Sequence, residues 1–359
     1  MRVVVVGATG NIGSRVVTEL SALPGTTVVG LARRRPTGTV APDNVEWVTA
    51  DIRRDELRPR FADADAVVHL AWLFQPTHRP MVTWDANVIG TSRVLAAVAE
   101  AHVPVLMCAS SVAAYSPAVD DRPVDESWPT HGWSAAAYTR EKAYVERLLD
   151  IHEREHPGLR LVRIRPAFVF QHAAAAAQRR LFAGPLLPNR VLRRHVPPVL
   201  PVPAGLRFQA VHTADIGRAF ALAVTSGAHG AFNLAADPVI TPAALGELLG
   251  ARTVTVPPGA VRGALALGWR LRLLPAPADL FEAMMHLPVM STERARRELG
   301  WTPRIGATDA LADMLTGLRG GDGGETPPLR ADAGGRFRFR EFASGVGGSD
   351  PVDRWAHAD

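Results

Sequence analysis

Four valines, Val3 to Val6, lead without a break into Gly7-Ala8-Thr9-Gly10-Asn11-Ile12-Gly13 and then into an amphipathic stretch. Few folds accommodate that order. A short strand apolar on both faces, a glycine-spaced turn and a helix open a parallel βαβ unit. Gly7 permits the tight turn, Gly10 lets the backbone approach a ligand, and Gly13 lets the helix lie close on the strand. Unpaired N–H groups at the helix start favour an anion there. Gly7, Gly10, Asn11, Ile12 and Gly13 therefore read as the cradle of a dinucleotide pyrophosphate.

The pattern continues as alternating strands and helices, which places the chain in the α/β class with a doubly wound parallel sheet. Strands are expected at 2–6, 27–31, 45–49, 66–70, 105–109 and 161–165, and helices at about 11–23, 84–101 and 134–156. From Pro166 the texture turns to Pro, Ala and Arg, and a strand-helix-strand pattern returns at 208–225 and 231–235. The expected division is a dinucleotide-binding domain of residues 1–165 plus about 208–235. A smaller, mostly helical C-terminal substrate cap is built from 166–207 and 236–318. The Gly-, Asp- and Arg-rich tail, 319–359, reads as disordered. Residues 261–274, basic and amphipathic with one Trp, read as a cap helix that buries its Leu and Trp face; a helix on a membrane surface is the alternative.

Composition closes off several classes. The single cysteine, Cys108, can build neither an internal disulfide nor a Cys-based zinc site, so no metal is expected. No stretch has the length of a membrane span or a signal-peptide core, and the chain is expected to be cytoplasmic. A net charge of +5 with no Arg-rich helix is no footprint of nucleic-acid binding. Between Glu155 and Asp215 there is no acid, while Arg160, Arg163, Arg165, Arg179, Arg180, Arg190, Arg193, Arg194 and Arg207 fall there. That zone could hold an anionic substrate group or form a solvated cap surface.

The second strand runs into Ala32-Arg33-Arg34-Arg35, with no acid to grip a ribose diol. Arg33 and Arg34 would accept a 2′-phosphate, so NADP is preferred, with NAD the alternative. Asp51 is placed to accept from the adenine amino group while Ile52 packs on the ring; capping a helix is the other reading of Asp51. The only lysine, Lys142, stands four residues after Tyr138, one of three tyrosines. That spacing puts phenol and ammonium on one helix face. A cation there is expected to draw the phenol's pKa down toward working pH, making Tyr138 an acid/base. Ser111, just past the fifth strand, can hydrogen-bond the reacting oxygen. His69 and His212 read as structural.

Together these residues resemble an extended short-chain dehydrogenase/reductase, the family of NAD(P)-dependent epimerases and dehydratases. The likeness covers residues 1 to about 318. It rests on the glycine turn, Asp51-Ile52, His69-Leu70-Ala71, residues 87–91, 110–115, Tyr138 to Lys142 and Arg165-Pro166, then on 211–215, 232–235 and 296–303. It implies a Rossmann-type sheet, Tyr138 as acid/base, Lys142 lowering its pKa and holding the nicotinamide ribose, and Ser111 orienting the substrate. It implies further that Leu70 and Ala71 line the cofactor, that Asn87 supports the site, that Pro166 to Val169 face the nicotinamide amide, and that the chain forms a homodimer through helices 84–101 and 134–156.

Two departures bear on the substrate. Sugar-nucleotide members usually follow the Arg-Pro strand with Asn and a Tyr-Gly-Pro turn, whereas this chain has Ala167-Phe168-Val169-Phe170-Gln171 and, after His172, five alanines. They also tend to carry a pyrophosphate Arg where this chain has Phe208-Gln209-Ala210. Both point to a less polar substrate. Net oxidation or reduction is weighed against redox-neutral epimerisation or dehydration, and against a dinucleotide sensor without turnover. A dehydratase would need a carboxylate near Ser111, and Asp120, Asp121, Asp125 and Glu126 are the nearby candidates.

Overall fold

A computed structural model describes residues 1–36, 42–74, 78–182 and 198–333 of the 359. Valine-rich segments, stiff at χ1 and suited to a pleated interior, supply the central strands. These are β1 (Arg2–Val6), β2 (Thr27–Ala32), β3 (Val45–Thr49), β4 (Ala66–His69), β5 (Val105–Ala109) and β6 (Arg160–Pro166). With β10 (Gly230–Leu234) they form one seven-stranded parallel sheet in the order β10-β6-β5-β4-β1-β2-β3. The order reverses beside β1, at whose carboxyl end the glycine turn sits; such switch points are where open α/β sheets bind ligands.

Helices α1 (Asn11–Ser21), α2 (Arg58–Phe61), α3 (Pro80–Trp84), α4 (Gly90–Glu100) and α5 (Ala137–Glu155) accompany these strands. The helix expected over 84–101 is interrupted by a π-helical turn, Asp85–Ile89, which carries Asn87. Val3, Val5, Met107, Val162 and Phe232 bury one face of the sheet, and Val4, Val6, Val67, Leu106 and Leu161 the other.

Past the sixth strand lie β7 (Phe168–Phe170), α6 (Ala175–Phe182), β8 (Val199–Pro203), β9 (Phe208–His212) and α7 (Thr213–Thr225). After β10 come β11 (Ala236–Ile240), α8 (Pro242–Leu249), β12 (Arg252–Val256), α9 (Pro258–Arg270), α10 (Ala278–Met285), α11 (Glu293–Leu299) and α12 (Ala307–Gly320). Strand β9 departs from the sequence reading, which returned it to the main sheet. It lies instead between β7 and β11 in a separate three-stranded sheet, because Phe168 to Phe170 pair with Ala210 to His212. Only α7 and β10 go back to the central layer. The motif at 296–303 locks onto α7: buried Trp301 donates from Nε1 to the Asp215 carbonyl at 2.8 Å, and the Asp215 carboxylate accepts from the backbone N–H groups of Arg304 and Ile305.

Two further expectations are corrected. In α9 only Gly268 is buried; Leu267 and, just beyond, Leu271 are each 59% exposed, while Trp269 stacks on His78. The expected Leu face thus stays largely outside. The tail is ordered at its start, with α12 running to Gly320 and residues 321–333 forming hydrogen-bonded turns around buried Leu329. Residues 334–359 lie outside the described residues. No helix among the described residues is long and apolar enough to cross a membrane.

Candidate active site

Helix α5 presents Tyr138, Lys142 and Glu146 at successive turns of one face. Lys142 is buried, donates from Nζ to the Ala109 carbonyl at 2.9 Å and lies 3.5 Å from the centroid of the Trp72 ring. Burial lowers its pKa to about 7 although the Glu146 charge opposes that shift. The Tyr138 ring stands edge-on to Phe74, with centroids 4.5 Å apart, and its phenol hydrogen-bonds Ser111. Ser111 in turn accepts the Ala113 N–H at 3.1 Å, which fixes its rotamer at the end of β5.

The expected lowering of the Tyr138 pKa is not found. Burial raises it, and the Ser111 hydrogen bond offsets only part of the rise. The physical reason lies in the aim of the Lys142 stem, which carries the ammonium to a carbonyl and an indole face. The phenol is therefore protonated at neutral pH, the form that can give a proton.

Glu146, fully buried, is a hub that the sequence reading missed. It accepts from Arg165 at both oxygens (2.9 Å each), from Arg163 at 3.2 Å and from Ser110 at 2.6 Å. The Arg165 and Ser110 hydrogen bonds and the two guanidinium charges outweigh desolvation and hold its pKa at about 2. Arg165 also donates to the Tyr115 hydroxyl, which bonds Asn233. The signal was available, since Glu146 continues the four-residue spacing of Tyr138 and Lys142. Glu141 forms a second buried junction, accepting from Thr83 at 2.6 Å and Asn87 at 2.7 Å, and its pKa is raised, chiefly by burial. Asn87 also clamps both backbone groups of Leu73, at 2.6 and 3.1 Å. It thereby positions the 70–74 loop that carries Trp72 and Phe74.

Two adjoining cavities share Gly10, Leu70 and Trp72 as walls. The smaller, about 160 Å³, is lined by Gly7, Arg33, Asp51, Ile52 and Ala71. The larger, about 300 Å³, holds Asn11, Ile12, Gly13, Ser111, Tyr138, Lys142, Pro166 and Val169 on one side. Its outer wall is apolar, with Phe168, Leu181, Phe182, Leu280, Met284 and Leu287. Of the residues expected at the cofactor, Arg34 and Asn87 line neither cavity: Arg34 is exposed beyond the second strand, and Asn87 faces Glu141.

The two joined cavities meet at the glycine turn, whose close backbone packing leaves no room for side chains at Gly7 and Gly13. Gly7 has φ +86°, and a Cβ on it would lie 2.6 Å from the Ala71 nitrogen; a Cβ on Gly13 would lie 2.2 Å from the Gly7 carbonyl oxygen. Asn11 staples the turn to the β7 segment: Gln171 Nε2 donates to its Oδ1 at 2.7 Å, and Gln171 Oε1 accepts from Arg15 at 3.0 Å. Asp51 accepts both the Arg53 backbone N–H and the Arg53 guanidinium at the rim of the smaller cavity.

The acid-free arginine zone is largely committed to internal partners. Arg160 donates to carbonyls at the end of α7 and in the turn after it, Arg163 and Arg165 hold Glu146, Arg180 donates to the Pro328 and Arg330 carbonyls, and Arg207 pairs with Asp121. Arg190, Arg193 and Arg194 lie outside the described residues. The four carboxylates considered for a dehydratase are also engaged: Asp120 with Arg122, Asp121 with Arg207, Asp125 with Ser127, and Glu126 with the Asn233 N–H at 2.8 Å. None lines the larger cavity. His69 meets Thr91 at 2.9 Å, and burial lowers its pKa to about 3, so it is a neutral structural group. Among the described residues no cluster of His, Cys, Asp or Glu could hold a metal.

The family model for the NAD dependent epimerase/dehydratase family matches residues 3–235. An uncharacterized protein of Mycobacterium tuberculosis is 27% identical over 323 residues, covering 89% of this chain and 30% of that protein, so the chain spans under a third of that relative's length. A protein of Stigmatella aurantiaca, 4-hydroxy-2-methyl-3-oxo-4-farnesyl-3,4-dihydroquinoline-1-oxide ketoreductase, is 27% identical over 329 residues, covering 85% of this chain and 93% of that protein. Among solved structures, UDP-glucose 4-epimerase of Thermus thermophilus in complex with NAD is 24% identical with TM-score 0.66, covering 89% of this chain and 99% of that one. UDP-glucose-4-epimerase of Stenotrophomonas maltophila with bound NAD is 22% identical with TM-score 0.68, covering 89% and 98%. At these identities the structural likeness is one of fold.

Proposed function

The chain belongs to the NAD dependent epimerase/dehydratase family, and we propose that within it the protein catalyses net reduction of a ketone on a largely apolar small molecule. The observation that carries this reading is the apolar outer wall of the larger cavity, Phe168, Leu181, Phe182, Leu280, Met284 and Leu287, around a protonated phenol. The Stigmatella relative, whose name gives a farnesyl-bearing ketone, supports the same substrate class. The absence of the four loop carboxylates from the cavity speaks against dehydration.

When bound, the dinucleotide supplies the hydride. Tyr138 donates its phenolic proton to the carbonyl oxygen, and Ser111 gives that oxygen a second hydrogen bond. Lys142, held against the Ala109 carbonyl and the Trp72 face, would hold the nicotinamide ribose. Gly10 admits the pyrophosphate at the turn that Gly7 and Gly13 allow to form, and Arg33 at the far end favours NADP over NAD.

The test is NADPH consumption with aliphatic and prenylated ketones against UDP-sugars across pH. Reduction of the apolar ketones is expected, with kcat/KM level from acid to neutral pH because burial keeps the Tyr138 phenol protonated throughout that range. A preference for UDP-sugars, or a rate that rises with pH, would remove this reading.

A homodimer belongs to the same proposal. Met81, Ile89, Tyr144 and Ile151 are exposed on the segments around α3, α4 and α5, an apolar face suited to a second copy. Sedimentation should give twice the chain mass.

A further inference from the structure

The family match ends at residue 235, yet a segment near the other end of the chain reaches back to the glycine turn. Past α12, residues 321–333 fold on themselves: Gly324 N–H donates to the Leu329 carbonyl at 2.9 Å, Leu329 N–H to Thr326 at 2.9 Å and Arg330 N–H to Thr326 at 3.1 Å. Leu329 is 4% exposed, the one buried apolar side chain of the loop. The Thr326 hydroxyl donates to the Thr9 carbonyl, inside the glycine turn, at 2.7 Å. Pro328 forms a wall of the smaller cavity together with Arg33, Asp51 and Leu70.

The other fastening is on α6 and the turn before it. Arg180 donates to the Pro328 carbonyl at 2.7 Å and to the Arg330 carbonyl at 3.1 Å, while His172 Nε2 meets Asp322 at 3.0 Å. Helix α6 also turns Ala177, Gln178 and Leu181 toward the larger cavity. The segment therefore bridges the glycine turn and the helix that walls the substrate side.

We infer that residues 321–333 are part of the dinucleotide-binding site and hold the bound dinucleotide in the cleft, with Thr326 and Pro328 at the turn and Leu329 and Arg180 as anchors. This rests on the dinucleotide reading above. Pro328 borders the smaller cavity beside Arg33 and Asp51, so a dinucleotide seated there would lie against the segment that the Thr326 and Arg180 bonds hold in place. Such a device acts on the dissociation rate more than on association.

The test uses the full chain. NADPH dissociation is followed by fluorescence in a stopped-flow chase for wild type, Leu329→Asp, which expels the anchor, and Thr326→Ala, which removes one bond. Dissociation is expected to quicken about tenfold or more in Leu329→Asp and severalfold in Thr326→Ala. In wild type, saturating NADPH should slow tryptic cleavage after Arg330 at least about fivefold. Dissociation within about twofold of wild type in Leu329→Asp, with Arg330 rapidly cleaved, overturns the inference, as does a lack of NADPH protection at Arg330 in wild type. A wild-type chain that binds neither NADPH nor NADH instead overturns the function reading beneath it.

Discussion

Replacing Tyr138 by Phe should lower the turnover number for ketone reduction by about a hundredfold or more while NADPH affinity stays within about threefold. The ring keeps its edge-on packing against Phe74 and Trp72, so the cavity wall persists. What is lost is the one hydroxyl that Ser111 aligns. Because burial keeps this phenol protonated, its contribution is proton donation, and the loss should appear in kcat with little change in KM. Purified Tyr138→Phe protein assayed at saturating NADPH decides the matter. Near-normal turnover would assign the proton donation to another acid.

Replacing Glu146 by Leu should produce the largest loss of stability among single changes near the site. Its carboxylate is fully buried and receives Arg163, Arg165 and Ser110. Removal leaves two buried guanidiniums short of their counter-charge, a situation that costs about 3–5 kcal/mol when one partner of a buried pair is deleted. Arg163 keeps Asp150 and Glu153, so Arg165 bears most of the cost. Melting temperature should fall by at least about 5 °C. The pH dependence has a definite sign. Glu146 has a folded pKa of about 2, below its ordinary value, so its contribution is complete above the normal carboxylate range and is lost as pH falls through about 2. The stability gap between wild type and variant should therefore be full at neutral pH and narrow in strong acid; a gap that widens on acidification would contradict the assignment.

Much of this architecture was legible because the relevant signals are local. Val3 to Val6 can form only a buried strand, the glycine spacing belongs to one kind of turn, and Tyr138 and Lys142 share a helix face by simple periodicity. The misread parts depend on partners distant in sequence. Phe208 to His212 has the pattern of any buried strand, and only its pairing with Phe168 to Phe170 assigns it to the second sheet. The Gly-rich composition of 321–333 signals disorder, whereas order there comes from Arg180 and Thr9, about 150 and 317 positions away. Likewise, spacing placed the Lys142 and Tyr138 backbones together but could not tell where the ammonium points. Its attachment to Ala109 and Trp72 leaves the phenol governed by burial.

The central claim is net hydride delivery to a ketone from an exchangeable cofactor. Its most direct test is one turnover with NADPH deuterated at the nicotinamide C4 and a prenylated ketone, followed by mass spectrometry of the product. The account predicts an alcohol carrying one deuterium at the former carbonyl carbon, with oxidised cofactor released in equal amount. Product without deuterium, together with a cofactor that stays on the protein through dialysis, would contradict it and assign the chain to redox-neutral chemistry.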